Sequence, residues 1–265
     1  MADLVVLVLA ALIAIAPPQV TAGSTPIAAP PSGALALFSR YQARMLVIKQ
    51  PPVMVFEYTR TRSGPTRVVT ENHRVYRDEA GHERNETTAI NGSPLVPPPF
   101  ITFARTEWPY GVEKFSVDSN TYAVEPRGVD EVNGRRAYTY AVVLKEPAAF
   151  AVTDLELDVR SALPLRERFT ANSDVCSASG TIEFGRSGAY WMPTIVGVTC
   201  TLASTPSQAS AVVAPSQALA AVAPSPPPIR DTIRFTIYSY PTAIPPQVFG
   251  IVPSPAPSSA DSPGP

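Results

Sequence analysis

The chain has 265 residues, with 21 Lys and Arg against 22 Asp and Glu, a formal net charge of −1, and 31 prolines. So even a balance, without a basic run, argues against nucleic acid as a partner. Two cysteines and two histidines are too few ligands for a metal site, and the length suits one large domain or two small ones.

Residues 4–16 form a 13-residue apolar run, too short to span a bilayer and right for the apolar region of an export signal. Val20 and Ala22 supply small residues for cleavage after Ala22. The leading segment carries Asp3 and no Lys or Arg, so an uncleaved anchor and a buried helix stay open as alternatives. No cysteine follows the run closely, which argues against a lipid-modified N-terminus. The expectation is a signal peptide over 1–22, a Pro/Ala/Ser linker over 23–32, and a periplasmic or secreted protein, membrane-associated if the signal is retained.

Leu37, Phe38, Tyr41, Met45 and Ile48 recur at helical spacing, predicting an amphipathic helix over 33–50 that Pro51-Pro52 stops. Strands are predicted over 53–62, 66–77 and 82–90, separated by Ser63-Gly64-Pro65 and by residues 78–81. Their arginines Arg60, Arg62, Arg67, Arg74 and Arg77 read as a solvated strand face. Residues 91–100 read as a loop, and 101–110 as a short helix or a lid crossing the sheet edge. Short strands are expected at 114–117 and 121–125. After Asn133-Gly134 the chain becomes one strand after another up to Phe249. Tyr138, Tyr140, Val142 and Leu144 alternate with small or polar residues, as do Leu155, Leu157 and Val159, and Ile233, Phe235 and Ile237. Such period-two alternation makes one sheet face apolar and turns the other to water.

Cys176 and Cys200 flank Ser187-Gly188 symmetrically. A five-residue connection over 186–190 sets Phe184 against Met192 and Cys176 opposite Cys200, close enough for a bridge. In an exported protein such a pair is most simply a disulfide, stabilising by roughly 3–4 kcal/mol for a loop of about 25 residues. Residues 203–228 are compositionally foreign: the nine-residue unit 206–214 repeats at 215–223. They read as a flexible insertion between two strands, and 251–265 as a disordered Pro/Ser-rich tail.

No phosphate loop, nucleophile elbow or zinc motif is present, so no enzyme and no cofactor are expected. His73 and His82 read as exposed strand residues. Asp154, Glu156 and Asp158 share a strand phase and read as a solvated face rather than a calcium cage. Sequons stand at Asn85 and Asn91, relevant only in a glycosylating host. What remains is apolar and aromatic: Phe56, Tyr58, Tyr138, Tyr140, Phe169, Phe184, Trp191, Phe235 and Tyr238, with Ile237 beside Phe235 in the apolar phase of its strand. These either fill a closed core under the helix or line a lipid-sized cavity on a concave sheet.

The order of motifs bears on that choice. A helix, prolines and a strand around Tyr58 are followed by residues 132–138 (VNGRRAY), then by 155–158 with 162–166 (ALPLR), then by 190–195 (YWMPTI). The pattern ends in 235–240 with 244–249 (IPPQVF). This resembles the LolA/LolB-like periplasmic lipoprotein-carrier superfamily over roughly residues 33–250. The resemblance implies a mainly β (α+β) fold, an unclosed antiparallel half-barrel whose concave face is covered by a helix or lid. It further implies a monomeric carrier or sensor that binds a lipid or the acyl chain of a lipoprotein, with an envelope protein as a further partner. The chain lacks the receptor branch's lipid-anchoring cysteine, carries the 203–228 insertion, and matches the carrier's lid arginine at no position. The rival expectation is a ligand-free structural or interaction module of the cell envelope.

Overall fold

Hairpin chemistry sets the topology. Asn133 and Gly134 both adopt positive φ (51° and 72°), the conformation a two-residue turn between twisted strands requires, and they join β6 (Tyr122–Val132) to β7 (Arg135–Leu144). The computed structural model describes residues 33–104, 106–202 and 227–250. The expected signal, the linker, residues 203–226 and the tail lie outside them. Within the described residues, β1 (Met54–Ser63), β2 (Val68–Arg77), β3 (Glu83–Ile90), β4 (Ser93–Pro94) and β5 (Phe100–Phe103) precede β6 and β7. Then come β8 (Phe150–Asp158), β9 (Pro164–Asn172), β10 (Cys176–Ser187), β11 (Tyr190–Leu202) and β12 (Ile229–Ser239).

These form a single twelve-stranded sheet in the order β4-β3-β2-β1-β12-β11-β10-β9-β8-β7-β6, with β5 also paired to β3. The pairs are antiparallel, and the terminal strands β4 and β6 do not meet. The sheet is therefore an unclosed half-barrel. Pro126 fits within β6 because an edge strand can spare a ladder donor.

One helix, α1 (Ala34–Met45), lies across the sheet and buries Ala34, Leu37, Phe38 and Tyr41. It stops five residues before the expected end. A residue preceding proline disfavours helical backbone, and the chain unwinds after Met45, letting Ile48 pack against a different part of the core. Two further expectations fail locally. The first part of the expected helix or lid over 101–110 instead adds a strand to β3 at residues 100–103, and only its second part, with Trp108, lies over the sheet. Residues 112–115 form a 3-10 turn rather than a strand, because Val112 and Phe115, three apart, both turn into the core.

Register is broken repeatedly by single extra residues. Thr88, Thr153, Thr194 and Thr236 each stand unpaired where the ladder slips by one. In three of these bulges the threonine hydroxyl donates to a carbonyl on the facing strand: Thr88 to Asn72 (3.1 Å), Thr194 to Glu183 (3.2 Å) and Thr236 to Glu57 (3.3 Å). A bulge disrupts the ladder locally, and the hydroxyl supplies a donor there.

The β10–β11 hairpin turns tightly, with Ser187 facing Tyr190, and Thr194 adds the extra residue. Phe184 consequently faces Pro193, not Met192, while Ala178 lies opposite Cys200 and Cys176 opposite Leu202. The cysteines are diagonal neighbours with Cα atoms 5.7 Å apart, and they are bridged as expected.

Candidate functional site

Cross-strand pairing lays side chains in rows over the concave face. One row runs Tyr140, Leu155, Glu167, Ile182, Val196, Ile233, Arg60, Glu71 across eight strands. A second runs Val152, Phe169, Gly180, Val198, Asp231, Arg62. A third sets Phe235 beside Tyr58 and His73.

Two elements roof this face. α1 covers Tyr140, Val142, Val152, Leu155 and Leu157. The segment 106–117 covers the rest, with Trp108 4.8 Å from the Phe56 ring and 6.1 Å from that of Phe235. Phe115 lies 5.6–6.3 Å from Phe150, Phe169 and Phe184. Neither cover is part of the sheet ladder. The backbone N–H of Val117 donates to Tyr41 Oη (2.8 Å), Tyr140 Oη donates to the Ala34 carbonyl (2.7 Å), and Arg40 donates to the Arg160 carbonyl (2.8 Å). Thr106 N–H donates to Gly81 O (2.9 Å), and Arg77 donates to Thr106 Oγ1 (2.7 Å).

Of the residues expected at the site, Phe56, Tyr140, Phe169, Phe184, Trp191 and Phe235 are buried on this face. Tyr58 and Tyr138 are half-buried there and pack against the same clusters. Phe56, Tyr58 and Phe235 form one ring cluster, Phe169 and Phe184 meet around Phe115, and Tyr140 packs on Phe38. Ile237 does not belong: it is 52% exposed. The Thr236 bulge shifts the phase, so that Tyr238 rather than Ile237 joins the Phe56 and Phe235 rings.

Several charged residues expected in solvent are inside. Arg60 is buried on the concave face and forks onto Asp231 (Nε to Oδ1 3.0 Å, Nη2 to Oδ2 2.8 Å), which Arg62 also contacts at 2.9 Å. His73 stacks on Tyr58 with ring centroids 4.6 Å apart, and its Nδ1 lies 3.0 Å from Asn85 Oδ1. Glu156 and Asp158 are buried beneath arginines from neighbouring strands, Arg166 at 2.7 Å and Arg135 at 2.9 Å. Asp158 also accepts from the Arg160 and Ser161 backbone. Asp154 is partly covered and meets Arg127 at 3.0 Å. Cross-strand partners close over these acids in a way that alternation alone does not reveal.

Glu167 was overlooked. It sits at the centre of the first row between Leu155 and Ile182, with 0% exposure, and neither carboxylate oxygen has a partner among the described residues. Burial pushes its pKa well above the usual carboxylate range. A signal existed: Glu167 lies in phase with Leu165, Phe169 and Ala171, the apolar phase of β9. Trp108 and Phe115 were also missed as core residues, since the segment carrying them has no period. Along the roof, Trp108 Nε1, Gln50 Nε2 and Glu113 Oε2 are likewise buried without partners. A cleft of about 420 Å³ opens beside them, lined by Gln50, Arg77, Thr106, Trp108 and Glu113.

Among the described residues no group of three or more His, Cys, Asp or Glu gathers as a metal site, and no helix is long and apolar enough to cross a membrane.

No family model matches the chain, and no curated protein matches it significantly. Solved structures do. A LolA superfamily protein from Nitrosomonas europaea is similar over 82% of this chain and 96% of its own, at 8% identity and a TM-score of 0.38. A DUF1329 family protein from Desulfovibrio piger gives the same coverage at 10% identity and a TM-score of 0.40. A domain assigned to outer membrane lipoprotein sorting in Vibrio parahaemolyticus is similar over 80% of this chain and 95% of its own, at 11% identity and a TM-score of 0.40. The family that the sequence motifs resemble is thus among those met by structure. Likeness at this distance carries no argument for activity, and what the chain does has to follow from its own residues.

Proposed function

We propose that this chain is an exported binding protein that takes an amphiphile, a lipid or the acyl part of a lipoprotein, between its roof and its concave sheet, and that it catalyses nothing. The observation that carries this reading is the set of buried polar atoms left unpaired where roof and sheet meet: both oxygens of Glu167, with Trp108 Nε1 in the roof segment. Each such group costs about 1–3 kcal/mol when sealed from water. A roof that lifts relieves the cost and exposes a wall of Phe56, Phe169, Phe184 and Phe235 to an acyl chain. The roof is suited to lifting, because a few separate hydrogen bonds and ring contacts hold it instead of a ladder. The Cys176–Cys200 bridge and the apolar run at 4–16 both fit an oxidising compartment outside the cytoplasm.

One observation favours a second reading, a ligand-free envelope module. Tyr41, Phe115, Tyr140 and Leu155 are fully buried, so the concave face is filled by the chain itself. A fluorescent fatty-acyl probe separates the two. Saturable binding to the wild type, lost in Phe235→Gln without loss of cooperative unfolding, supports the binding protein. No probe binding by the wild type together with severe destabilisation of Phe235→Gln overturns it in favour of the module.

A further inference from the structure

At the end of α1 the roof leaves a second cleft, of about 620 Å³, between the helix's C-terminal turn, the β8–β9 turn and the β10–β11 hairpin. Its cationic lining is Arg44, Lys49, Arg135 and Arg186, and no carboxylate lines it. In a chain of net charge −1, that is a local concentration of one sign. Arg135 is engaged by Asp158 at 2.9 Å, and Arg186 Nε donates to the Gly188 carbonyl of its own turn at 3.0 Å. Arg44 and Lys49 are exposed and have no carboxylate partner among the described residues.

The floor is different in character. Ile48, Leu163, Tyr190 and Trp191 form it, and each packs against the core cluster of the concave face. Val47, which also lines the cleft, is 67% exposed. An inorganic anion would use the cations and leave this apolar surface in water. A molecule with a charged head and an apolar chain uses both, the head among the cations and the chain along a floor that leads into the core.

We infer that this cleft holds the anionic headgroup of the amphiphile, a phosphate-bearing lipid head placed by Arg44 and Lys49 at the entrance to the seam between roof and sheet. The inference rests on the amphiphile reading above and adds the charge of the ligand to it. The two free cations should each contribute roughly two- to fivefold in affinity, the range of exposed ion pairs, and the effect should weaken with salt.

The test compares two monoacyl amphiphiles of equal chain length, neutral monoacylglycerol and lysophosphatidylglycerol, with inorganic phosphate as a third arm. They are titrated into wild type and an Arg44→Gln/Lys49→Gln double variant. Both residues are exposed and outside the aromatic wall, and unchanged thermal unfolding confirms an intact fold. The expected result is that wild type prefers lysophosphatidylglycerol and that the double variant loses roughly four- to 25-fold of that preference, with monoacylglycerol affinity unchanged. Equal binding of the two amphiphiles by the wild type, or a preference that survives in the double variant, overturns the inference and leaves the amphiphile reading standing. Phosphate binding as tight as lysophosphatidylglycerol overturns it in favour of a free-anion site. Binding of neither amphiphile overturns both.

Discussion

Replacing Glu167 by leucine should stabilise this protein, and by an amount that grows with pH. The carboxyl is fully buried between Leu155 and Ile182 without a partner. Desolvation raises its pKa, and Glu167 in turn helps to raise the Tyr41 hydroxyl of α1 and the Tyr122 hydroxyl of β6, which burial raises first. No cation compensates it. In the unfolded chain Glu167 ionises near its ordinary value of about 4.3, whereas in the fold desolvation raises its pKa well above that value. The folded state therefore binds more protons than the unfolded state above that pH, and stability falls as pH rises. The slope is about 1.4 kcal/mol per pH unit, up to the folded-state pKa. Glu167→Leu removes this slope along with the unpaired oxygens, themselves worth about 1–3 kcal/mol. Asp118 and Asp158, whose pKa values are lowered, lose their stabilisation toward acid in both proteins, so the difference between the two isolates Glu167. Urea denaturation of both at about pH 5 and about pH 8 measures it. A variant no more stable than wild type, or an advantage equal at both pH values, would refute the reasoning and show Glu167 to be paired in solution.

Other substitutions probe the packing. A Cβ on Gly180 would lie 2.3 Å from Phe169 Cζ, and Phe169 is buried, so Gly180→Ala should cost about 1–3 kcal/mol by overpacking, read from the denaturation midpoint. Tyr41→Phe strands the buried Val117 N–H, which predicts a loss of about 1–3 kcal/mol and faster exchange of an acyl probe. Replacing both Cys176 and Cys200 by serine should cost about 3–4 kcal/mol for their separation of 24 residues, while free-thiol titration of unreduced wild type should find none. Because Cys200 faces Ile229 across β11 and β12, exchanging residues 203–228 for a short Gly-containing turn should preserve cooperative unfolding, checked by circular dichroism.

Alternation made the sheet and most of its buried aromatics legible, while its openness was legible only through the resemblance in motif order. It failed at single residues. Thr194 and Thr236 look in sequence like any outward-facing threonine, yet each adds one residue to its strand. Thr236 turns Ile237 out, and Thr194, together with a turn one residue tighter than expected, moves Cys176 from opposite Cys200 to its diagonal. A bulge is set by what the facing strand requires, here a carbonyl to which the hydroxyl donates, and one strand read alone does not contain that information. The same limit hid the buried acids, because Glu156 and Asp158 are covered by arginines from other strands. The roof segment 106–117 has no period at all, since Trp108, Val112 and Phe115 enter the core from turns. Glu167 was legible in principle: a lone carboxylate in the apolar phase of β9 is the kind of local conflict that marks a functional or strained position.

The central claim is that roof and sheet part to hold an amphiphile. Native mass spectrometry of the protein purified from its own host, under conditions that preserve non-covalent complexes, tests this most directly. The expected result is a second species heavier than the bare chain by the mass of one anionic lipid or acylated peptide, which disappears after delipidation and returns when the lipid is added back. A single species at the mass of the bare chain, unchanged by added lysophosphatidylglycerol, would contradict it.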